Sequence, residues 1–379
     1  MNKKAVIVGG GIAGLTAAIA FEQIGIEAEV FEASPKLEPI GAGIWMAPNA
    51  MQVFDRLGIA DEVKAAGKVL WSVRVCDKRF RVIQTSDLTA AEKEFGFSIV
   101  AIHRGTLQKI LLSRLKSEKI HCGYVFDSFN TDGQKVNVQF QNGQVTTGNL
   151  LIGADGVHSK VRGQLFGNKP LRYSGLTCWR GITKFALNDA FKATSFELWG
   201  GRNRFGFSEI TEDTVYWYAA SKAQSGKTLS GELARKYLTD QFKDFASPVV
   251  DLIESTDPQK MIHTDLCDLP PTRPWAKENI CLIGDAAHPM TPNLGQGGAQ
   301  AIEDAFLLSK ELSGETSTAK ALHRFEARRF KKIQKIVNDA YFFGKLAHME
   351  TGSKFRNLVL RLIPQGAAQR SMHTLFRID

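Results

Sequence analysis

The feature that most constrains this sequence is a run of glycines close to its start, in "VIVGGGIAGL". Gly9, Gly11 and Gly14 form the G-x-G-x-x-G pattern between a short apolar stretch and an alanine-rich one, which predicts a turn between a buried strand and a helix. The first glycine permits a tight turn, the second lets phosphates approach the backbone, and the third lets helix and strand pack closely. The amino end of that helix offers N–H groups and the positive end of a dipole to an anion. The pattern therefore predicts an α/β fold that binds a dinucleotide.

Glu32 ends the next predicted strand, "EAEVFEAS", and supports this interpretation. A carboxylate at that place accepts hydrogen bonds from both ribose hydroxyls and disfavours a 2′-phosphate, so it favours FAD or NAD over NADP. The residues predicted to bind this half of the dinucleotide are Gly9, Gly11, Ile12, Ala13, Gly14, Glu32 and Ala33. A secretory signal is the alternative at this amino terminus, but three consecutive glycines interrupt its apolar run.

A second glycine-rich loop lies in "LIGDAAHPMTPNLGQGGAQAIEDA", residues 282–305. Here an apolar strand leads to Asp285, which we expect to bind a sugar-like chain, and a helix begins after the loop. The amino end of that helix would stabilise negative charge on a reduced flavin. Since a nicotinamide dinucleotide does not require this second site, we predict noncovalent FAD, with its adenine half at residues 9–32 and its flavin half at 284–298. The residues predicted for the flavin half are Asp285, Pro292, Gly295, Gln296, Gly297 and Gly298.

Three further residues are weaker cofactor candidates. Arg104 in "AIHRGTLQ" begins a predicted helix and is placed to reach the pyrophosphate or the ribityl chain. Gly43 in "GAGIW" allows close passage of the flavin. Asp155 in "GADGVHSKVR" is either a cofactor ligand or the N-cap of a helix. His288, by contrast, is expected to be structural.

The texture of the sequence changes between residues 171 and 220, where successive strand-like segments are rich in aromatic residues. They predict an antiparallel sheet with one aromatic face. We predict an FAD-binding domain from residues 1–72, 98–170 and 276–319, and a substrate-binding sheet domain from 73–97 and 171–275. Residues 320–379 are predicted to form a basic helical segment.

The net charge of +9 comes entirely from that last segment, which has 13 Lys and Arg against 4 Asp and Glu. A solvated helix face is the interpretation we prefer, and contact with an anionic surface is the alternative. The five cysteines lack CxxC spacing, which argues against a zinc site or a disulfide framework and favours the cytoplasm. Neither a metal ion nor a nucleic acid is expected as a partner.

The three motifs, in this order, resemble those of the single-component FAD-dependent aromatic hydroxylases, the group A flavoprotein monooxygenases. The resemblance runs from about residue 4 to residue 340. "YSGLTCWRG" (173–181) and "PNLGQGGAQAIEDA" (292–305) look nearest to the branch with salicylate hydroxylase, urate hydroxylase and zeaxanthin epoxidase. The resemblance implies an α/β, Rossmann-like FAD-binding domain of the GR2 type, an inserted, mostly antiparallel β-sheet substrate domain and a C-terminal helical segment.

The resemblance also implies an activity. NADH or NADPH reduces the flavin, O2 adds at C4a, and the hydroperoxyflavin hydroxylates or epoxidises a small aromatic or unsaturated ring compound. No catalytic residue is identified. We expect the substrate pocket to be lined by Trp45, Met46, Trp179, Arg204, Phe205, Tyr216, Trp217 and Asn293.

One position departs from the family pattern. In urate hydroxylase the residue after the loop proline is an acid, whereas here it is Asn293, which cannot act as a base. Two kinds of substrate are therefore compatible with the sequence: one that needs no deprotonation, and a small aromatic acid held by Arg202 or Arg204. Two alternatives remain: a flavin-dependent dehydrogenase or reductase without oxygen insertion, and a membrane-peripheral epoxidase that uses the basic tail with "RNLVLRLIP" (356–364).

Overall fold

A computed structural model describes residues 3–38, 41–314, 317–363 and 373–378 of the 379-residue chain. Within them, strands β1 to β19 are Lys4–Val8, Glu27–Glu32, Gly43–Met46, Lys68–Leu70, Ser72–Asp77, Val82–Asp87, Ile99–His103, Ile120–Cys122, Phe126–Thr131, Val136–Phe140, Val145–Gly148, Leu150–Gly153, Arg172–Lys184, Thr194–Gly200, Asn203–Glu209, Thr214–Lys222, Ile262–Asp268, Ala276–Lys277 and Ile280–Leu282. Helices α1 to α11 are Ile12–Gln23, Pro48–Arg56, Ala60–Ala66, Thr89–Phe95, Arg104–Leu112, Lys160–Phe166, Gly231–Phe242, Val249–Glu254, Gly297–Ser313, Thr318–Ala347 and Ser353–Arg361. Residues 364–372, part of the predicted C-terminal segment and the end of "RNLVLRLIP", lie outside the description.

The first sheet has the strand order β18-β19-β12-β1-β2-β8, and its neighbouring strands are parallel except for the β18–β19 pair. Strand β1 is almost wholly buried, as expected of a parallel strand covered on both faces. Helix α1 connects β1 to β2, and α9 packs against α1. This arrangement confirms the predicted α/β fold and brings the chain's two glycine-rich loops to one edge of the sheet.

The second sheet has the order β17-β13-β16-β15-β14-β5-β6, with antiparallel neighbours apart from the parallel β14–β5 pair. Helices α7 and α8 cover one of its faces with a hydrophobic cluster. The other face is turned towards β3 and the loop before α9, with Tyr216 in the core cluster of the first sheet. Asn142 and Gly143 lie in the turn of a hairpin formed by the antiparallel pair β10–β11.

Helix α10 packs against α9, and its buried residues include Leu322, Phe325, Ile333 and Val337. One prediction about its charge is wrong in part. Arg329 is fully buried instead of solvated, because it forms ion pairs with Glu303 and Asp304 of α9. Among the described residues, no helix is long and apolar enough to cross a membrane.

Candidate active site

The first glycine-rich turn joins β1 to α1. Gly9 has a φ of 111°, and a Cβ added there would collide with the carbonyl oxygen of Ala154. A Cβ on Gly14 would collide with the carbonyl of Gly9, whereas one on Gly11 would have no neighbour within 4 Å. Two of the three glycines are therefore needed by the fold, and the third borders open space in front of the amino end of α1.

Glu32 is held at the edge of this turn by two backbone groups. Its Oε2 accepts a hydrogen bond from the Gly10 N–H at 2.7 Å, and its Oε1 accepts one from the Ser34 N–H at 2.8 Å. Each carboxylate oxygen keeps a second lone pair, and the side chain is only half-buried. The carboxylate is thus oriented and still able to accept hydroxyl groups.

The second loop meets the first turn in space, although some 270 residues separate them in the sequence. A Cβ added at Gly284, whose φ is 58°, would lie 3.2 Å from the Cβ of Ala13 and 3.0 Å from that of Ala301. The loop then passes through the 3-10 turn Pro292–Leu294 before α9 begins. Helices α1 and α9 therefore lie side by side next to this loop, and neither helix has an acidic residue in its first turn.

A buried polar cluster fixes the shape of this second loop. The carboxylate of Asp304 accepts hydrogen bonds from the Gly284 N–H at 2.9 Å and from Arg329 Nε at 2.7 Å, and it lies 2.6 Å from His288 Nε2. Burial alone would raise the pKa of Asp304, but attraction to His288 and Arg329 outweighs it and lowers that pKa to about 2. His288 is therefore structural, as expected, and α10 supports the loop through α9.

Asp285 and Asp155 have different surroundings. A Cβ on Gly297 would lie 3.9 Å from Asp285 Oδ1, so this carboxylate stands beside the amino end of α9. Burial raises the pKa of Asp285 although its side chain still reaches solvent. The carboxylate of Asp155 instead accepts from Ser159 Oγ at 2.5 Å and from the Lys160 N–H at 2.8 Å. It acts as a cap of α6, and its cofactor contact stays a prediction.

Arg162 links the segments that contain these two acids. Its guanidinium donates to the carbonyl of Ala286 at 2.7 Å and to that of Val157 at 2.6 Å. Arg104 is exposed at the start of α5, and its aliphatic stem lies close to Gly41. It borders the same part of the chain as Gly43, and its predicted role remains a prediction.

The inner face of the second sheet forms the other wall of the candidate site. Gly43 lies against Tyr216, since a Cβ added to Gly43 would collide with that ring. Trp45 points the same way, because its Nε1 donates to Ser208 Oγ at 3.1 Å and its ring meets that of Tyr218 edge-on. Burial raises the pKa of Tyr216 to about 12, so its hydroxyl is protonated at neutral pH.

Arg204 and Asn293 meet between this face and the second loop. Arg204 is almost fully buried, and its Nη2 donates to Asn293 Oδ1 at 2.8 Å. Its Nε lies 3.7 Å from Glu197, and neither Nε nor Nη1 has a hydrogen-bond partner within the described structure. The amide nitrogen of Asn293 donates to Thr291 Oγ1 and to the Ala340 carbonyl, both at 3.0 Å. A buried cation thus retains N–H groups for an acceptor.

Four of the predicted pocket residues do not lie on this wall. Trp179, Phe205 and Trp217 belong to the opposite face of the sheet, in the hydrophobic cluster beneath α7 and α8. Met46 points away from the sheet towards Gly298 at the start of α9. The structure therefore directs these four side chains away from the inner face, because successive residues of a strand face opposite sides.

The same alternation would have found residues that the sequence analysis missed. Tyr218, two residues after Tyr216, lies on the inner face, and its hydroxyl donates to the carboxylate of Glu197. Ser208, opposite Tyr216 in the strand pairing, is the partner of Trp45. Of the predicted set, the structure brings together Trp45, Arg204, Tyr216 and Asn293.

Comparison with known proteins identifies the family to which a chain with this site belongs. The family model described as an FAD binding domain matches residues 2–340 of the chain. This chain belongs to that FAD-binding family. It is 38% identical over 344 residues to the aurachin C monooxygenase/isomerase of Stigmatella aurantiaca, covering 91% of this chain and 89% of the relative. It is 32% identical over 377 residues to the 2-heptyl-3-hydroxy-4(1H)-quinolone synthase of Pseudomonas aeruginosa, covering 98% and 97%.

Solved structures agree with the family assignment. Klebsiella pneumoniae HpxO, complexed with FAD and uric acid, is 27% identical with a TM-score of 0.91, covering 99% of this chain and 96% of that one. The FAD-dependent urate hydroxylase of the same organism is 30% identical, covering 88% of each chain. These relatives are named a monooxygenase/isomerase, a synthase and an FAD-dependent hydroxylase, and the chain is an FAD-dependent monooxygenase of this family, as the resemblance implied.

The described residues fit FAD in this flavoprotein. The open space beside Gly11, in front of the amino end of α1, suits a pyrophosphate, and the lone pairs of Glu32 suit a ribose. Asp285 and the amino end of α9 lie beside each other and suit the ribityl chain and the flavin. When bound and reduced, the flavin supplies the electrons that activate O2. The protein residues bind it, orient it and form the walls of the site.

Proposed function

We propose that this monooxygenase uses NADH or NADPH and O2 to add one oxygen atom to a flat, uncharged aromatic ring that carries a carbonyl oxygen. The class we favour is the 4-quinolones. The observation that carries the proposal is the buried Arg204, whose Nε and Nη1 have no hydrogen-bond partner in the described structure. A buried donor that lacks an acceptor destabilises the protein by about 1–3 kcal/mol, and a charged donor destabilises it by more. A substrate carbonyl would satisfy these donors and orient the ring.

The neighbouring Asn293 narrows the chemistry. Because an amide cannot take a proton, the substrate should be reactive without a base at this position. A 4-quinolone meets this condition, since its ring nitrogen donates electrons through the adjacent double bond to the carbon beside the carbonyl. That carbon is nucleophilic in the neutral molecule. Urate lacks this feature, and its hydroxylation would be expected to need a base.

One relative supports this ring class, because it is named for the synthesis of a hydroxylated 4-quinolone. Another is named for the monooxygenation of aurachin C and supports the addition of one oxygen atom. Trp45, Tyr216 and Tyr218 would enclose a flat ring on the side of the second sheet, and an apolar enclosure keeps water from the reacting atoms. We propose NADH or NADPH as the reductant of the flavin because the sequence motifs resemble those of the group A enzymes.

The test is oxidation of NADH and of NADPH by the purified FAD-bound protein, with hydrogen peroxide measured in parallel. We would compare 2-heptyl-4(1H)-quinolone, salicylate and uric acid. We expect the quinolone to stimulate turnover with little peroxide. Greater stimulation by uric acid or salicylate would contradict the proposed substrate class.

A matched pair of variants tests the role of the buried cation. Arg204→Gln should keep the flavin absorbance and lose substrate stimulation by roughly tenfold to a hundredfold, as expected for a lost hydrogen bond from a charged donor. The control is Arg202→Gln, because Arg202 is an exposed arginine two residues away. Equal effects of the two substitutions would refute a specific role for Arg204.

A further inference from the structure

We propose that the outer face of helix α11 docks onto the surface of a membrane that contains anionic lipids. Four apolar side chains at three- and four-residue spacing form this face, which we call the α11 face: Phe355, Leu358, Val359 and Leu362. Their exposed fractions are 71%, 53%, 44% and 72%. An apolar stripe on a helix normally faces the core, so an exposed one marks an interaction surface.

The opposite side of α11 is anchored to the protein. Arg356 is buried and donates from Nη1 to the carbonyls of Leu346 at 2.8 Å and Ala347 at 2.9 Å. Its guanidinium also lies 4.6 Å from the ring centroid of Trp199. These contacts hold the helix against the end of α10 and the second sheet. The α11 face is consequently directed outward by the fold.

The charges around this face favour an anionic partner. Lys354 and Arg361 are exposed on the same helix, and Arg361 Nε also donates to the Val82 carbonyl at 3.1 Å. The sequence has no Asp or Glu between Glu350 and Asp379, and Glu350 itself pairs with Lys222 at 2.9 Å. An amphipathic helix with an apolar face and flanking cations is suited to lie in the headgroup region of a bilayer.

A second copy of the chain fits this surface less well. A stable dimer buries about 800 Å² on each partner, far more than four side chains on one short helix provide. Two copies paired through the α11 face would also bring like charges together. We therefore assign the α11 face to a lipid surface, to which the protein binds peripherally.

The test is sedimentation of the FAD-bound full-length protein with vesicles. Vesicles of phosphatidylcholine alone are compared with vesicles that also contain phosphatidylglycerol, at low and at high salt. We expect binding to the anionic vesicles that weakens with salt. Leu358→Glu/Leu362→Glu should weaken it at least tenfold, and Lys354→Gln/Arg361→Gln on the order of tenfold.

The matched control is Val145→Glu/Leu233→Glu, which adds the same charges at two other exposed apolar positions, 60% and 70% exposed. It should bind like the wild type, and all variants should keep the flavin spectrum and the turnover of a soluble substrate. Failure of the wild type to sediment would overturn the proposal, as would equal losses in the control. A concentration-dependent dimer that only the α11 variants abolish would assign the face to a second copy instead and would also overturn it.

Discussion

Replacing Arg329 by methionine tests how the cofactor loop is held. Arg329 is fully buried and donates to Asp304 Oδ1 at 2.7 Å, to Glu303 Oε1 at 2.5 Å and to Gln300 Oε1 at 2.6 Å. Methionine fills much of the space, but it removes the positive charge and the N–H donors that stabilise the buried carboxylates. Breaking a buried ion pair by removing one partner costs about 3–5 kcal/mol. We therefore expect the free energy of unfolding to fall by that amount and FAD affinity to fall with it.

The pKa of Asp304 provides a second estimate of how much this buried cluster stabilises the folded state. Its lowering from 3.8 to about 2 corresponds to about 2 kcal/mol of stabilisation of the charged form. Since the folded-state pKa is lowered, this stability is present above the ordinary pKa and is lost as pH falls through the folded value. In Arg329→Met the pKa of Asp304 should rise. The difference in stability between wild type and variant should therefore narrow as the pH is lowered into this range.

Urea unfolding with excess FAD, followed by tryptophan fluorescence and repeated across acidic pH, measures both effects. The control is Arg328→Met, because Arg328 is the neighbouring residue on α10 and forms an ion pair with Glu311 that is partly exposed to solvent. Such pairs contribute about 0–1 kcal/mol. Equal destabilisation by the two substitutions, or a difference that does not change with pH, would refute the proposed role of the buried cluster.

Three further predictions follow from single positions. Gly11→Ala should fold normally but bind FAD more weakly, because its methyl group enters the space in front of α1. Gly9→Ala should instead lower the free energy of unfolding by about 1 kcal/mol or more. Flavin titration measures the first effect and urea unfolding measures the second. Burial and repulsion from a neighbouring arginine lower the pKa of His348 to about 4. Because the unfolded state binds the proton more readily than the folded state, the free energy of unfolding falls by about 3 kcal/mol as the pH drops from 6.5 through 4. His348→Gln should remove this part of the acid sensitivity in urea unfolding. Trp217→Leu should cost about 2 kcal/mol without changing KM, since its ring packs under α7 and α8; a raised KM would place it in the pocket after all.

The sequence predicted the parts of the fold that local backbone chemistry controls. The glycine pattern at Gly9, Gly11 and Gly14 located the β1–α1 turn, and the second loop was correctly paired with it because Asp285 and the helix after it repeat that logic. The domain boundaries remain predictions. Residue type alone did not reveal which side of the second sheet faces the loop. Trp217 and Tyr218 are equally aromatic neighbours, and only the register of their strand separates a core residue from a wall residue.

The charge pattern was also insufficient for α10. A count of basic residues cannot distinguish Arg328, which is solvated, from Arg329, which is buried against α9. The distinction depends on which acids the partner helix presents, and Glu303 and Asp304 read as ordinary helix residues in the sequence. Contacts between distant segments decided the outcome in both cases.

The most direct test of the account is the fate of O2. The FAD-bound protein would be given NADH or NADPH, 2-heptyl-4(1H)-quinolone and O2 labelled with a heavy isotope, and the product would be analysed by mass spectrometry. We expect a product with one labelled oxygen atom and close to one molecule of NAD(P)H oxidised for each product molecule. Oxidation of the substrate without label, or transfer of electrons from it to the flavin, would show a dehydrogenase and contradict the account.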